Sequence, residues 1–305
     1  MDSRRKAIAA LAGDAYAMNG IFPRMIQKSF LALFASLALP SFASAETLKI
    51  NGSTTVNLPV AEAAEILRAE QKMDIQVDTQ GGSSGGISML GDGLVQIGMA
   101  SKHVSDDDRA KYPKVEFREI HIGEDAVALI VSKDVWDGGV KALTKQQIKD
   151  IYEGKVTNWK DVGGKPQRIA FFNKEPGRGT WEVFAHWVYG NPKAAPPVSF
   201  PEVGGNEETR NKVAGTRGAL SQLSSSWADG KRVFALGIKL DDGKVVEPTN
   251  ENIATKTYPL SRPLFLLTKG EPTGAAKVFV DFMLSERGQE LVKKHGYLRL
   301  KDLKN

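Results

Sequence analysis

Segments with strand and helix patterns alternate along most of the chain, and this alternation restricts the fold more than any other feature of the sequence. Strand-like runs at 47–50, 75–77 and 95–100 are each followed by turn residues and then by a helix-forming segment. The run 126–131 is apolar at every position, a pattern that fits a strand buried on both faces of a parallel sheet. We therefore predict an α/β fold with mixed, mainly parallel sheets.

The same alternation continues into the C-terminal half of the chain. Capping residues, apolar spacing and Gly or Pro stop signals predict helices that begin near Asn57 and Ser105, and further helices over 144–152, 179–189, 275–284 and 285–295. Strands are predicted at 169–172 and 264–267. The Pro- and Gly-rich segment 190–205 is predicted to be a loop.

Composition excludes several classes of function. The chain has 305 residues and no Cys, which excludes disulfides, Cys-ligated zinc, iron–sulfur clusters and thiol catalysis. Residues 1–45 contain five basic and two acidic residues, so the remainder carries 36 basic and 34 acidic residues. Because more than half of the net charge of +5 lies in that N-terminal segment, the basic character is no argument for nucleic-acid binding.

The segment 25–45 has the three parts of a secretory signal. Lys28 supplies the positive charge, 30–39 is an apolar run of ten residues, and Ala43-Ser44-Ala45 is a small-residue cleavage site. The run is too short for a membrane-spanning helix, which needs ~20 apolar residues. We expect cleavage after Ala45, release into a periplasm, and an upstream extension at 1–24 with Met25 as an alternative start.

Three turns rich in small residues occur at the point where a strand pattern gives way to a helix pattern. They are 51–55 (Asn-Gly-Ser-Thr-Thr), 81–86 (Gly-Gly-Ser-Ser-Gly-Gly) and 177–180 (Gly-Arg-Gly-Thr), the last preceded by Lys174. Each alone is more typical of a plain turn with a capping residue. In α/β sheets the carboxyl ends of the strands meet at one edge, so three such helix N-termini predict an oxyanion site. None has the P-loop or dinucleotide-binding spacing.

Other classes of function were weighed against an anion-binding protein. A secreted serine hydrolase would need a nucleophile motif, and neither Gly-x-Ser-x-Gly nor Ser-x-x-Lys is present. A phosphatase would need clustered metal ligands. The four histidines are widely separated, at positions 103, 121, 186 and 295. A purely structural or adhesive protein would leave the hydroxyl-rich helix starts without a role. We predict that the chain is not an enzyme and has no cofactor or metal.

Over nearly all of 47–300 the chain resembles periplasmic substrate-binding proteins of phosphate-specific ABC transporters. The resemblance is carried by the segments 52–56, 82–87, 98–102, 154–159, 177–180, 258–263, 288–290 and 296–297. It is most specific at Asn158-Trp159 and Ser261-Arg262-Pro263.

The resemblance implies a type II periplasmic-binding-protein fold, in which two lobes enclose phosphate. Lobe one would comprise 46–124 and 257–305, and lobe two 125–256. The implied partner is a membrane permease driven by ATP hydrolysis elsewhere, and the implied state is a monomer that binds no nucleic acid.

The resemblance also implies roles for individual residues. Phosphate-binding positions of the family correspond to Ser53, Thr54, Ser83, Ser84, Ser101, Gly177, Gly179 and Thr180. Lys174 stands where family members carry an arginine that pairs with the anion.

Two positions depart from the family pattern. Arg178 replaces a common Ser, and Lys102 stands where some members have an aspartate that accepts the proton of hydrogen phosphate. Asp125 is the candidate replacement for that acceptor, ahead of Glu124. The extra cations leave molybdate, tungstate or sulfate open as alternative ligands.

Overall fold

A computed structural model describes residues 47–304 of the chain. The predicted signal segment at 25–45 and the upstream extension at 1–24 lie outside the described residues. Within 47–304, every helix is too short or too polar to cross a lipid bilayer.

Residues 47–304 contain twelve β-strands. In chain order they are β1 (Leu48–Gly52), β2 (Ile75–Asp78), β3 (Ile97–Ala100), β4 (Phe117–Ser132), β5 (Ala142–Thr144), β6 (Ala170–Lys174), β7 (Glu202–Val203), β8 (Ala219–Ser224), β9 (Val233–Ala235), β10 (Gly237–Lys239), β11 (Val245–Val246) and β12 (Ser261–Lys269).

Ten α-helices connect and cover these strands in the described part of the chain. They are α1 (Asn57–Gln71), α2 (Gly82–Gly91), α3 (Asp106–Lys111), α4 (Lys133–Asp137), α5 (Lys145–Tyr152), α6 (Gly179–Tyr189), α7 (Asn206–Gly215), α8 (Asn250–Ala254), α9 (Gly274–Leu284) and α10 (Glu286–Lys294).

Several predicted helix starts are confirmed with their capping residues. Ser105 caps α3 in a capping box with Asp108, and Thr144 caps α5 in the same way with Gln147. Helix α6 has the predicted bounds. Asn57 is the first residue of α1 rather than its cap, and the hydroxyl of Ser53, four residues upstream, accepts from the backbone N–H groups of Thr55 and Val56.

The largest sheet has nine strands and mixes both directions of pairing. Its order is β2-β1-β3-β12-β4-β8-β6-β7, with β9 also paired to β4. Strands β1 and β6 pair in parallel with their neighbours, whereas β12 and β4 pair antiparallel with theirs. A separate sheet has the order β11-β10-β5. The mixed α/β fold is therefore confirmed, whereas the sheets are not mainly parallel as predicted, because five pairs are parallel and five are antiparallel.

The apolar run 126–131 is a buried strand segment, as predicted, but its sheet neighbours are antiparallel. It forms the end of β4 and pairs with β8 and β9. The prediction of parallel neighbours was wrong, because an apolar run indicates only that both faces of the sheet are covered. It does not report the direction of the neighbouring strands.

The two largest hydrophobic clusters of the described residues lie on different parts of the sheet. One packs β1 and β3 against α1, α9 and α10, and includes Ile50, Leu67 and Phe279. The other includes Val127 of β4, Phe184 of α6 and side chains of α5 and β10. Strand β4 contributes to both clusters, because Ile122 in its first half belongs to the cluster around α1 and Val127 in its second half belongs to the cluster around α6. The candidate site lies where elements of both clusters meet.

Candidate functional site

The N-terminal turns of four helices converge on one small cavity. Helices α1, α2 and α6 follow the three turns that the sequence singled out, and α7 is the fourth. The cavity has a volume of about 10 Å³, close to that of one water-sized sphere. Its lining consists of Ser53, Thr54, Thr55, Gly82, Ser83, Ser101, Lys174, Arg178, Gly179, Thr180, Gly204 and Asn206. Because the first turn of a helix has backbone N–H groups without intrahelical acceptors, this convergence favours an anion.

Two glycines allow the backbone to close around the cavity. Gly52 has φ of +142°, and a Cβ there would lie 2.1 Å from the carbonyl oxygen of Met99. A Cβ on Gly179 would lie 2.6 Å from Ser101 Oγ and 2.7 Å from Ser83 Oγ. Any side chain at either position would therefore force apart the strands or the turns that form the site.

Three serine hydroxyls form a chain along one wall of the cavity. Ser53 Oγ donates to Ser101 Oγ over 3.0 Å, and the backbone N–H of Ser101 donates to Ser83 Oγ over 3.1 Å. The hydroxyls of Ser101 and Ser83 lie 3.4 Å apart. Either hydroxyl of this last pair can be the donor, so one of their two hydrogens stays available to a ligand.

The buried guanidinium of Arg262 joins two threonines that line the cavity. Its Nη1 donates to Thr180 Oγ1 over 2.9 Å, and its Nη2 donates to Thr55 Oγ1 over 3.2 Å. Its Nε and Nη2 also donate to Asp125 Oδ2 over 3.1 and 2.7 Å. Because each threonine oxygen accepts from Arg262, each keeps its own hydrogen as a donor for the cavity.

Lys174, at the end of β6, is almost completely buried. Its Nζ donates to the carbonyl oxygens of Gly204 and Gly205 over 2.8 and 3.2 Å, and to Thr209 Oγ1. Burial lowers the pKa of Lys174 to about 7, and the nearby positive charges of Arg178 and Arg262 act in the same direction. At neutral pH, Lys174 is therefore present in both its charged and its neutral form.

Arg178 precedes α6 and brings a second cation to the cavity. Its Nε and Nη2 donate to Glu175 Oε2 over 3.0 and 2.7 Å. Among the contacts within 47–304, Nη1 of Arg178 has no protein acceptor. Three N–H groups of this guanidinium, two on Nη1 and one on Nη2, thus remain as donors, which suits a planar contact with an oxyanion.

Eight of the twelve predicted site residues line the cavity and four do not. Lys102 lies outside it and pairs with Glu182 Oε2 over 2.7 Å. Ser84 donates from its hydroxyl to Glu182 Oε1 over 3.2 Å. The carbonyl oxygen of Gly177 accepts from the backbone N–H of Ser84 over 3.0 Å. These three residues surround the site without facing its interior.

Asp125 is the fourth predicted residue outside the cavity. One of its carboxylate oxygens accepts from Arg262, and the other accepts from Ser224 and Ser225 over 2.9 and 3.2 Å. Its predicted role as the proton acceptor therefore gains no support. Glu124, the less favoured candidate, does not line the cavity either.

Sequence reasoning missed four residues of the lining, namely Thr55, Gly82, Gly204 and Asn206. Thr55 and Gly82 belong to two of the predicted turns, but neither was predicted to be a site residue. The turn Gly204-Gly205-Asn206 repeats the same strand-to-helix pattern, but its strand, β7, has two residues and gives no periodic signal. Asn206 Nδ2 donates to Thr55 Oγ1 over 3.0 Å, which ties α7 to the β1–α1 turn.

The charged side chains in the lining are all cationic. The cavity is lined by two cationic side chains and by no carboxylate within the described residues. Over 47–304, no group of three or more His, Asp or Glu residues is arranged to hold a metal ion. Hydroxyls, backbone N–H groups and the two cations are thus the chemistry that the cavity offers.

Comparisons with known proteins agree with this geometry. A family profile described as a PBP superfamily domain matches residues 40–287. The phosphate-binding protein PstS of Bacillus subtilis is 33% identical over 260 residues, which cover 85% of this chain and 82% of that protein. The chain belongs to the PstS family of phosphate-binding proteins.

Solved structures of PstS-like proteins confirm the two-lobed periplasmic-binding-protein fold. A phosphate ABC transporter substrate-binding protein of Clostridium perfringens, described as putative and solved with bound phosphate, has a TM-score of 0.74 and 34% identity. The match covers 83% of this chain and 99% of that one. An ABC-type phosphate transport receptor of Vibrio cholerae has a TM-score of 0.65 and 28% identity. That match covers 82% of this chain and 99% of the receptor chain. PstS is a family of binding proteins, in agreement with the prediction that the chain is not an enzyme.

Proposed function

We propose that the chain binds inorganic phosphate in the cavity between its lobes and delivers it to the permease of an ABC transporter for uptake. The observation that carries the proposal is the convergence of four helix N-termini, three serine hydroxyls and two cations on one cavity. The PstS relatives, and the related structure with bound phosphate, support phosphate as the ligand.

Phosphate would be held by donors from both sides of the cavity. Thr54 and Ser83 offer hydroxyl groups at the starts of α1 and α2. Gly179 and Thr180 offer backbone N–H groups in the first turn of α6. Arg178 adds the free N–H groups of Nη1. Hydrogen bonds to a charged oxyanion in a water-poor cavity are about twice as strong as neutral ones, so this set of donors suits tight binding.

The proposed lobes are those implied by the family resemblance, 46–124 with 257–305 and 125–256. The contacts that join them across the cavity include Asn206 to Thr55, Ser84 to Gly177, and Lys102 to Glu182. We infer that these contacts form when the lobes close on phosphate and part when it leaves. A ligand that contacts both lobes stabilises the closed state by its differential affinity.

The proposed setting follows from the family and from the N-terminal sequence. A cleaved signal at 25–45 would place the mature chain in the periplasm, where it works as a monomer without nucleic acid. Its macromolecular partner would be the membrane permease, and ATP would be hydrolysed by another subunit. The chain itself then contributes capture and delivery.

A second candidate ligand is another tetrahedral oxyanion, namely molybdate, tungstate or sulfate. The observation that favours it is the absence of a carboxylate from the cavity lining within 47–304. A buried carboxylate would reject an oxyanion that has no proton to donate, because the acceptor would be left unpaired. Without it, the lining has less means of rejecting sulfate.

Calorimetric titration of residues 46–305, purified free of phosphate, tests the proposal. Phosphate, arsenate, sulfate, molybdate and tungstate are titrated separately at pH 7.5. The proposal expects one-to-one binding with phosphate and arsenate tightest, and no release of product from a phosphate monoester. Preference for sulfate, molybdate or tungstate would overturn phosphate as the ligand, and turnover of the ester would overturn the binding-protein assignment in favour of a hydrolase.

A further inference from the structure

All three hydrogen-bond donors of Lys174 are used by one turn of the protein. The ammonium donates to the carbonyl oxygens of Gly204 and Gly205 and to Thr209 Oγ1, all at the start of α7. An ammonium group has three donors and no acceptor. Lys174 therefore has no N–H group left for a ligand, although the family resemblance implied that this residue pairs with the anion.

The turn that Lys174 holds is itself part of the cavity. Gly204 and Asn206 line it, and Asn206 is the first residue of α7. The side-chain amide of Asn206 uses one N–H on Thr55. The second N–H of that amide and the backbone N–H groups of the first helical turn stay available to a ligand.

We propose that Lys174 is a positioning residue that holds the Gly204–Asn206 turn against the cavity, and that Asn206 and the start of α7 supply the contacts to the bound anion. This inference rests on the proposed function, because it concerns the same cavity. It assigns to the anion a fourth helix N-terminus that the sequence did not indicate.

The charges around Lys174 influence whether it carries the proton with which it holds the Gly204–Asn206 turn. Arg178 and Arg262 disfavour the ammonium, whereas Glu175 and Glu208 favour it. With a pKa of about 7, the group is charged below neutrality and largely neutral above it. A neutral amine has two donors for three oxygen acceptors, so the turn loses one hydrogen bond when Lys174 loses its proton.

The test is a double-mutant cycle on phosphate affinity at pH 6.5. Lys174→Met and Asn206→Ala are expected to weaken binding by about 10- to 100-fold each, the effect of a lost charge-assisted contact or of its misplacement. Because Lys174 acts through the turn, the double variant should bind no more than about 3-fold more weakly than the weaker single variant. Effects that multiply would show that Lys174 acts on the anion directly and would overturn the proposal.

Lys174→Arg separates charge from geometry. An arginine keeps the positive charge but cannot present three donors from one atom to the three acceptors of the turn. The proposal expects Lys174→Arg to bind phosphate about as weakly as Lys174→Met. Recovery of wild-type affinity by Lys174→Arg would mean that charge alone matters. A pH profile adds a further readout, since the affinity of the wild type should fall above pH 7 relative to that of Lys174→Met, in which only the titration of phosphate and of other groups remains.

Hydrogen exchange of the ligand-free protein makes the two proposals distinguishable. Lys174→Met should speed exchange of the Thr209 amide, which donates to Gly205, at least 10-fold relative to the amides of β1. Unchanged exchange would overturn the positioning role whatever the ligand is. If another oxyanion binds more tightly than phosphate, the proposed function fails, and the same cycle run with that oxyanion still decides the role of Lys174.

Discussion

The side chain of Arg262 donates from Nη1 to the hydroxyl oxygen of Thr180 over 2.9 Å, across the boundary between the two proposed lobes. The contact fixes the orientation of a hydroxyl that lines the cavity. Arg262 was part of the most specific sequence motif, but nothing in the sequence showed that it reaches the cavity threonines.

Replacement of Thr180 by Ala should weaken phosphate binding. The variant removes one hydroxyl donor to the anion and leaves Arg262 Nη1 without its acceptor. We expect a loss of about 1–3 kcal/mol in binding free energy, measured by calorimetry. Thr180→Ser restores the hydroxyl and should recover most of the affinity. The exposed Thr255→Ala is the matched control, and unchanged affinity in Thr180→Ala would remove Thr180 from the site.

Replacement of Arg262 by Met should destabilise the fold as well as the site. It leaves the Asp125 carboxylate buried without its cation, a change that costs about 3–5 kcal/mol in other buried pairs. The free energy of unfolding is measured by urea titration of the ligand-free protein. Arg262→Met combined with Asp125→Asn should be more stable than Arg262→Met alone.

The exposed pair Arg287–Glu70 supplies the control for Arg262. Arg287→Ala should change the urea midpoint little, because a solvent-exposed ion pair contributes little to stability. Equal midpoints for Arg262→Met and Arg287→Ala would contradict the importance of the buried pair.

The ion pair between Lys102 and Glu182 should control the release of phosphate rather than its capture. Both side chains are mostly buried at 8% and 15% exposure, and they belong to opposite sides of the cavity. Glu182→Gln or Lys102→Met should raise the dissociation rate about tenfold, since each breaks the ion pair that joins the two sides of the cavity in the closed state. Stopped-flow displacement measures this rate.

The association rate should be nearly unchanged in both variants of this pair. Glu207→Gln, which alters an exposed carboxylate on α7, is the control. A dissociation rate equal to that of the wild type would show that the pair does not stabilise closure.

Replacement of Gly179 by Ala should nearly abolish binding. The added methyl group would lie 2.6 Å from Ser101 Oγ and 2.7 Å from Ser83 Oγ, in the space that an anion would share. We expect a loss of at least about 100-fold in affinity, or about 2.7 kcal/mol. Gly215→Ala, whose methyl group would meet nothing within 4 Å, is the control and should bind as the wild type does. Tight binding by Gly179→Ala would place the ligand elsewhere.

The pH dependence of stability should carry the signature of Lys174. The unfolded chain holds the lysine proton up to a pKa of about 10.4, whereas the folded protein loses it at about pH 7. Between these values the unfolded state binds more protons, so the free energy of unfolding rises with pH by up to about 1.4 kcal/mol per unit. This contribution is complete above about pH 10.4 and is lost as the pH falls through 7.

Urea titrations between pH 7.5 and 9.5 measure that slope. Subtracting the unfolding free energies of Lys174→Met from those of the wild type at each pH removes the contributions of other groups. The remaining slope is then that of Lys174 alone. Parallel profiles for the two proteins would show that Lys174 keeps an ordinary pKa in the fold.

The features that the sequence predicted correctly depend mostly on residues that are close together in the chain. The bounds of α6 and the capping boxes at Ser105 and Thr144 depend on neighbouring residues, and the structure confirms all three. The turns before α1, α2 and α6 were found because small residues follow strand patterns there. Their meeting at one cavity followed from the general rule for the carboxyl ends of strands.

Long-range pairing accounts for what the sequence could not predict. Strand β8 reads Ala-Leu-Ser-Gln-Leu-Ser, and its polar positions gave no strand signal although all six residues are buried. Gln222 is satisfied by contacts with Asn173 and with the backbone N–H of Lys174, far away in the chain. The pairing of Asp125 with Arg262 spans 137 positions and was equally invisible to local reasoning.

Strand β4 changes its partners in the middle of its length. Residues up to Ala126 pair with β12, and residues from Val127 onward pair with β8 and β9. If the proposed lobes rotate relative to each other, β4 has to twist along its length, because it is continuous across the boundary. The backbone hydrogen bonds on both of its halves would resist sliding more than twisting, so we expect the cavity to open by a twist of this strand.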